Sequence, residues 1–140
     1  MKILVIEDSR FLRVAMEKVL TKAGYTVSGV ADGREGLAAA HASLPALILL
    51  DMMLPGLDGT AVLKALKIGP PTARIPVIVL TGLSQKNEGR LKSAGAAAYV
   101  EKSSLNLGQN GDALIDAVEK LIGKPAAVLS PANLDEEVEP

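Results

Sequence analysis

Three short runs of unbroken apolar residues govern what this chain folds into: Ile3-Leu4-Val5-Ile6, Leu47-Ile48-Leu49-Leu50 and Val77-Ile78-Val79-Leu80. Each is too short for a buried helix and lacks the alternation of a sheet with one wet face. Such runs read as strands covered on both sides, the pattern of a parallel sheet. Tyr25 to Val30 and Ala97 to Val100 are more mixed, as edge strands are. Between the strands lie helical patterns. Phe11, Leu12, Ala15, Met16, Val19 and Leu20 recur at three- and four-residue spacing before Gly24, and Leu114, Ala117, Val118, Leu121 and Ile122 do so before Gly123 and Pro125. Gly33 to Ser43, Gly59 to Ile68 and Ser84 to Ala94 fill the remaining helix slots. The expectation is strand–helix five times over: an α/β, doubly wound, flavodoxin-like five-stranded parallel sheet of order 2-1-3-4-5, its three apolar strands inside.

Composition removes several functions. The 140 residues contain no cysteine and one histidine, which excludes a thiolate nucleophile, a cysteine metal site and a two-histidine zinc helix. A net charge of −1 and 2% aromatics leave neither the basic footprint nor the stacking platforms of direct nucleic-acid binding. Met1-Lys2 precedes only four apolar residues before Glu7-Asp8, so no signal peptide is read, and no run approaches a membrane span. A cytoplasmic protein without a membrane partner is expected. Residues 1–123 hold fourteen basic and twelve acidic side chains, whereas 124–140 hold Lys124 against Asp135, Glu136, Glu137 and Glu139. One domain over 1–123, followed by a flexible acidic tail or the start of a linker, is the expected organisation.

In an open α/β sheet, ligands bind beyond the carboxyl ends of the strands, where the strand order reverses. The first strand ends in Glu7-Asp8 and the third in Asp51; the fourth ends at Thr81 and the fifth runs into Glu101-Lys102. Adjacent strands lie ~4.8 Å apart, so the three carboxylates crowd together. Two like charges ~5 Å apart at an effective dielectric of ~20 repel by ~3 kcal/mol, and three of them need protonation or a cation. Few carboxylates in an all-oxygen site suit Mg2+ better than calcium or zinc. A metal, the Thr81 hydroxyl and the Lys102 ammonium together are equipment for a phosphoryl group. Asp51, ending a central strand, is the best candidate nucleophile, and Gly82 leaves room for an incoming group.

These residues resemble the response regulator receiver domain of two-component signalling. The resemblance covers residues 1 to about 123. It rests on Glu7-Asp8, on Asp51-Met52-Met53-Leu54-Pro55-Gly56-Leu57-Asp58-Gly59, on Thr81-Gly82, and on Tyr99 three residues before Lys102. It implies that Asp51 accepts a phosphoryl group from a histidine kinase or phosphotransfer protein. It implies that Asp8 and Asp51 ligate Mg2+ with the main-chain carbonyl of Met53, and that Glu7 acts through water. Lys102 is implied to pair with Asp51 or its phosphoryl group, and Thr81 and Tyr99 to form a switch. That switch would alter the face built from the 84–94 helix, the fifth strand and the last helix, and so the choice of a downstream protein. The state expected is a monomer or a phosphorylation-dependent dimer. Two departures stand out. Ser103 follows Lys102 where the family usually has proline after a cis bond, which before serine costs ~3 kcal/mol. Met53 and Leu83 are apolar at positions that in the family help set phosphoryl hydrolysis, which predicts slow self-dephosphorylation.

Other readings compete. Asp8 and Ser9 also fit helix capping, and Asp58 fits it better than a site role. Tyr99 also fits an edge-strand core aromatic, and Tyr25 fits only that. Pro55-Gly56 is turn chemistry; His41 and the run Lys86, Arg90, Lys92 read as solvated helix faces. A phosphorylation-independent receiver-like scaffold is the leading alternative function. An aspartate-based phosphatase is the enzyme alternative, but it needs a second aspartate where Met53 stands and a nucleophile after the first strand. The module is therefore not expected to be an enzyme beyond transfer to itself and loss from itself.

Overall fold

The computed structural model describes residues 1–54, 59–82, 95–105, 107 and 110–125. Its elements in chain order are β1 (Lys2–Ile6), α1 (Arg10–Lys22), β2 (Thr26–Val30), α2 (Gly33–Ser43), β3 (Leu47–Asp51), α3 (Gly59–Ile68), β4 (Val77–Thr81), β5 (Ala98–Glu101), a 3-10 turn (Lys102–Ser104) and α4 (Asp112–Ile122). The strands form one parallel sheet of order β2-β1-β3-β4-β5, as the apolar runs predicted. The helix expected over Ser84 to Ala94, with Leu83, Lys86, Arg90 and Lys92, lies outside the described residues. So do Pro55, Gly56, Asp58 and everything from 126 onward. No helix among the described residues is long and apolar enough to cross a membrane.

Strand alternation divides the core. Leu4, Ile6, Ile48, Leu50, Val77 and Val79 face one side, where α2 and α3 supply Ala40, Val62, Leu63 and Leu66. Ile3, Val5, Leu47, Leu49, Ile78 and Leu80 face the other, against Met16 and Leu20 of α1 and Leu114 and Val118 of α4. β3 and β4 are buried at every position. Fully burying a Leu or Ile stabilises by roughly 1.5–3 kcal/mol, so these two strands anchor the residues at their ends.

Local signals start and stop the helices. Ser9 caps α1, its Oγ accepting the Leu12 amide at 3.3 Å, and Asp32 caps α2, its Oδ1 accepting the Glu35 amide at 2.8 Å. The Tyr25 hydroxyl donates to the Gly123 carbonyl at 2.8 Å and pins the end of α4. Tyr25 is therefore more than an edge-strand aromatic: it lies just before β2, buried, and ties two distant elements.

Phe11 departs from expectation. Its spacing groups it with the apolar face of α1, yet it is 81% exposed. The reason is angular. Met16 and Leu20 define the buried stripe, while Phe11, Ala15, Lys18 and Lys22 form a second stripe beside it.

Gly59 sets how closely α3 approaches β3. A Cβ there would lie 2.5 Å from the Asp51 carbonyl oxygen and 2.6 Å from the Met52 Cα, both backbone atoms that cannot swing away. Gly59→Ala should therefore destabilise the fold by about 1–3 kcal/mol, the usual range for overpacking, measurable by urea denaturation. Unchanged stability would show that the turn after β3 yields freely.

Candidate functional site

The alternation that sorts the core also sorts the strand ends. Glu7 continues the Ile3, Val5 parity; Asp51 continues Leu47, Leu49; Lys102 continues Ala98, Val100. All three belong to the side of the sheet covered by α1 and α4. Thr81 continues Val77, Val79, and Tyr99 packs against that opposite cluster. The pairing register brings the ends level. Ile6 lies opposite Leu50, so Glu7 comes beside Asp51; Asp51 lies opposite Leu80, and Thr81 opposite Glu101.

Lys102 holds the centre. Its Nζ lies 3.0 Å from Asp51 Oδ1 and 3.2 Å from Glu7 Oε1. Both carboxylates are buried, and the lysine side chain is 23% exposed. Asp51 Oδ1 also accepts the Met53 amide at 3.0 Å, and Glu7 Oε2 accepts the Ser9 amide at 3.0 Å. Arg13 donates to the Glu7 carbonyl at 2.9 Å from one turn into α1. Glu7, Asp8 and Asp51 each place a carboxylate oxygen within 4.8 Å of the other two. Asp8 is the exposed member, at the N-terminal end of α1, where the helix dipole also favours negative charge.

The charge count does not close. Among the described residues, three carboxylates face the single ammonium of Lys102, and Asp51 Oδ2 is buried with no hydrogen-bond partner. A buried carboxylate oxygen left in that state is costly. Burial pushes Glu7 up to about 7; the Ser9 amide opposes the rise, Asp51 adds to it and Lys102 opposes it. For Lys102 burial works against the charge, but Asp51 and Glu7 outweigh it and lift its pKa above the ordinary lysine value. A hard divalent cation fits this donor set: all-oxygen, net negative, one exposed carboxylate at the mouth and one orphan oxygen inside.

Asp8, Glu7, Asp51 and Lys102 are thus brought together. Thr81 is buried at the end of β4, a Cβ on Gly82 beside it would meet nothing within 4 Å among the described residues, and Tyr99 is half-buried on the opposite-parity side. The Met53 side chain is 67% exposed and its amide turns back to Asp51. The Lys102–Ser103 peptide is trans, inside the 3-10 turn, so lysine reaches the acids without the cis bond. The resemblance implies that Glu7 acts through water toward a metal; its direct ion pair with Lys102 was not foreseen from the sequence. The alternation 3, 5, 7 and 98, 100, 102 was the signal that could have found it. The Arg13 contact had no comparable signal.

The profile of the response regulator receiver domain matches residues 3–118. The chain belongs to that family. Its receiver domain is 41% identical over 103 residues to the transcriptional regulatory protein HprR of Escherichia coli, covering 73% of this chain and 45% of HprR. The chain spans less than half the length of the curated relatives it matches. Among solved structures, the chemotaxis protein CheY4 of Vibrio cholerae superposes with a TM-score of 0.77 at 27% identity, over 86% of this chain and 97% of CheY4. The receiver domain of a Pseudomonas aeruginosa sensor histidine kinase, solved with a magnesium ion coordinated in its active-site cleft, gives 0.75 at 29% identity, over 88% and 98%.

The raised Glu7 pKa has a testable consequence for this receiver domain. A folded-state value near 7 against about 4.5 unfolded means the fold holds that proton more tightly. The resulting stability is fully present below pH ~4.5 and is lost as pH rises through 7, up to ~3 kcal/mol. In EDTA, Glu7→Gln should remove most of this decline and be the more stable protein at pH 8. Parallel stability curves for the two proteins between pH 4.5 and 8 would contradict it.

Proposed function

We propose that this receiver domain is a Mg2+-dependent phosphoacceptor whose acceptor atom is Asp51 Oδ2. The observation that carries the reading is that oxygen's state: buried, without a hydrogen-bond partner among the described residues, and fixed in place because Oδ1 is tied to Lys102 and the Met53 amide. The fixed carboxylate presents the Oδ2 lone pairs in a set orientation, which is how a nucleophile gains from positioning. Its lone pair forms the O–P bond as the P–N bond of a phosphohistidine breaks, and the electron pair of that bond returns to the imidazole. The donor is a histidine kinase or phosphotransfer protein.

Asp8, Asp51 and the Met53 carbonyl would hold the metal, with Glu7 behind them through water. Bound there, Mg2+ supplies neutralisation of the charge that develops on the phosphoryl oxygens. Lys102 keeps its charge throughout, its raised pKa leaving it protonated at neutral pH, and it moves from carboxylate to phosphoryl oxygen. The Thr81 hydroxyl follows the phosphoryl group, and Tyr99 turns inward on the same face of the sheet. A phosphoryl group acts here only through unequal affinity for two arrangements of Thr81 and Tyr99. The output is a changed surface around β5 and the last helix, read by a downstream protein. We take residues 1–123 as the signalling unit and 124–140 as its acidic extension.

Acetyl phosphate with Mg2+ should add the mass of one phosphoryl group to wild type and none to Asp51→Asn. No addition to wild type would favour a phosphorylation-independent scaffold; equal addition to both would move the acceptor elsewhere. The exposed Met53 side chain offers no polar group to orient an attacking water. After donor removal the phosphorylated form should therefore last minutes or longer; decay within seconds would refute this part.

A further inference from the structure

We propose that the acidic segment 126–140 docks back in cis on the groove between α1 and α4. The groove encloses about 940 Å³ and is lined by Arg10, Phe11, Lys18, Val19, Leu107 and Ile115, with Lys22 at one end. Its apolar floor includes the ring of Phe11, the most exposed large apolar side chain described. Its rim carries three exposed cations, and none of its described lining residues is a carboxylate. The acids of α4, Asp112, Asp116 and Glu119, do not line it, and Glu119 instead faces Tyr25.

The segment has the complementary pattern. It interleaves Val128, Leu129, Leu134 and Val138 with Asp135, Glu136, Glu137 and Glu139, and no basic residue follows Lys124. Its point of departure is also in place. The Tyr25 hydroxyl holds the Gly123 carbonyl at 2.8 Å, two residues along the chain from Ala23 in the groove wall, and Pro125 is buried against the body. The ten residue steps from Pro125 to Asp135 reach up to about 33 Å when extended, whereas α1 is about 20 Å long. The acids can therefore pass the Lys22 end and meet Lys18 and Arg10.

Tethering makes a weak contact sufficient, because a short linker gives an effective concentration on the order of mM. A segment seated there covers Phe11. The docking is independent of whether Asp51 accepts a phosphoryl group.

The cysteine-free chain allows a single spin label at Ser130→Cys in the full 140 residues. Paramagnetic broadening should remove amide intensity along Arg10–Lys22 and at Leu107 and Ile115. It should be relieved by 1 M NaCl, where the screening length falls to ~3 Å. Reversing the exposed charges with Lys18→Glu and Lys22→Glu, or neutralising the four tail acids, should abolish it while leaving other amide shifts in place. Mixing isotope-labelled chain with a separate spin-labelled chain should give none. Broadening spread evenly over the surface, or persisting unchanged in both charge variants, would overturn the proposal. Broadening in the mixed sample would overturn the cis arrangement in favour of a second copy.

Discussion

One lysine sits between two carboxylates that could not otherwise be buried together. Lys102 contacts Asp51 at 3.0 Å and Glu7 at 3.2 Å, at the rim where β1, β3 and β5 end. Removing either acid leaves the ammonium with a partner; removing the ammonium leaves two buried like charges. Asymmetry of that kind makes Lys102 the group the site cannot lose, because an unpaired buried charge costs several kcal/mol. A third carboxylate, Asp8, stands exposed at the mouth and leaves the cluster one cation short. A divalent cation held among these acids would supply the positive charge that Lys102 alone does not.

The sheet delivers this arrangement with little local cleverness. β3 and β4 are buried throughout and cannot shift register without exposing their apolar sets. Alternation then sends Glu7, Asp51 and Lys102 to the α1–α4 side and Thr81 and Tyr99 to the other. The charge cluster and the hydroxyl–aromatic pair therefore occupy opposite layers joined at the strand tips. A change at Asp51 can reach the second layer through adjacent residues, without a path across the core.

The apolar runs made the strand order legible, because only interior strands of a parallel sheet carry four such residues without a polar break. The acids at their ends were legible for the same reason. Three features were not. Glu7 pairs directly with Lys102 because of pleat parity, which matters only once two distant strands are level. Phe11 is exposed because α1 carries two neighbouring stripes, and a three-and-four spacing does not say which one meets the core. Gly59 is needed because a Cβ there would lie 2.5 Å from the Asp51 carbonyl oxygen, a crowding that no spacing rule encodes. Ser103 was legible as a departure, and its trans peptide shows the lysine placed by a 3-10 turn.

We read the acidic cluster of Glu7, Asp8 and Asp51 as a Mg2+ site. Titrating the purified chain with Mg2+ in a calorimeter at neutral pH, alongside Asp8→Asn, tests it most directly. The account predicts saturable uptake of one ion per chain, with proton release from Glu7 visible as a buffer-dependent heat, and a large loss of affinity in the variant. Absence of saturable uptake by wild type, or equal affinity in both proteins, would contradict it.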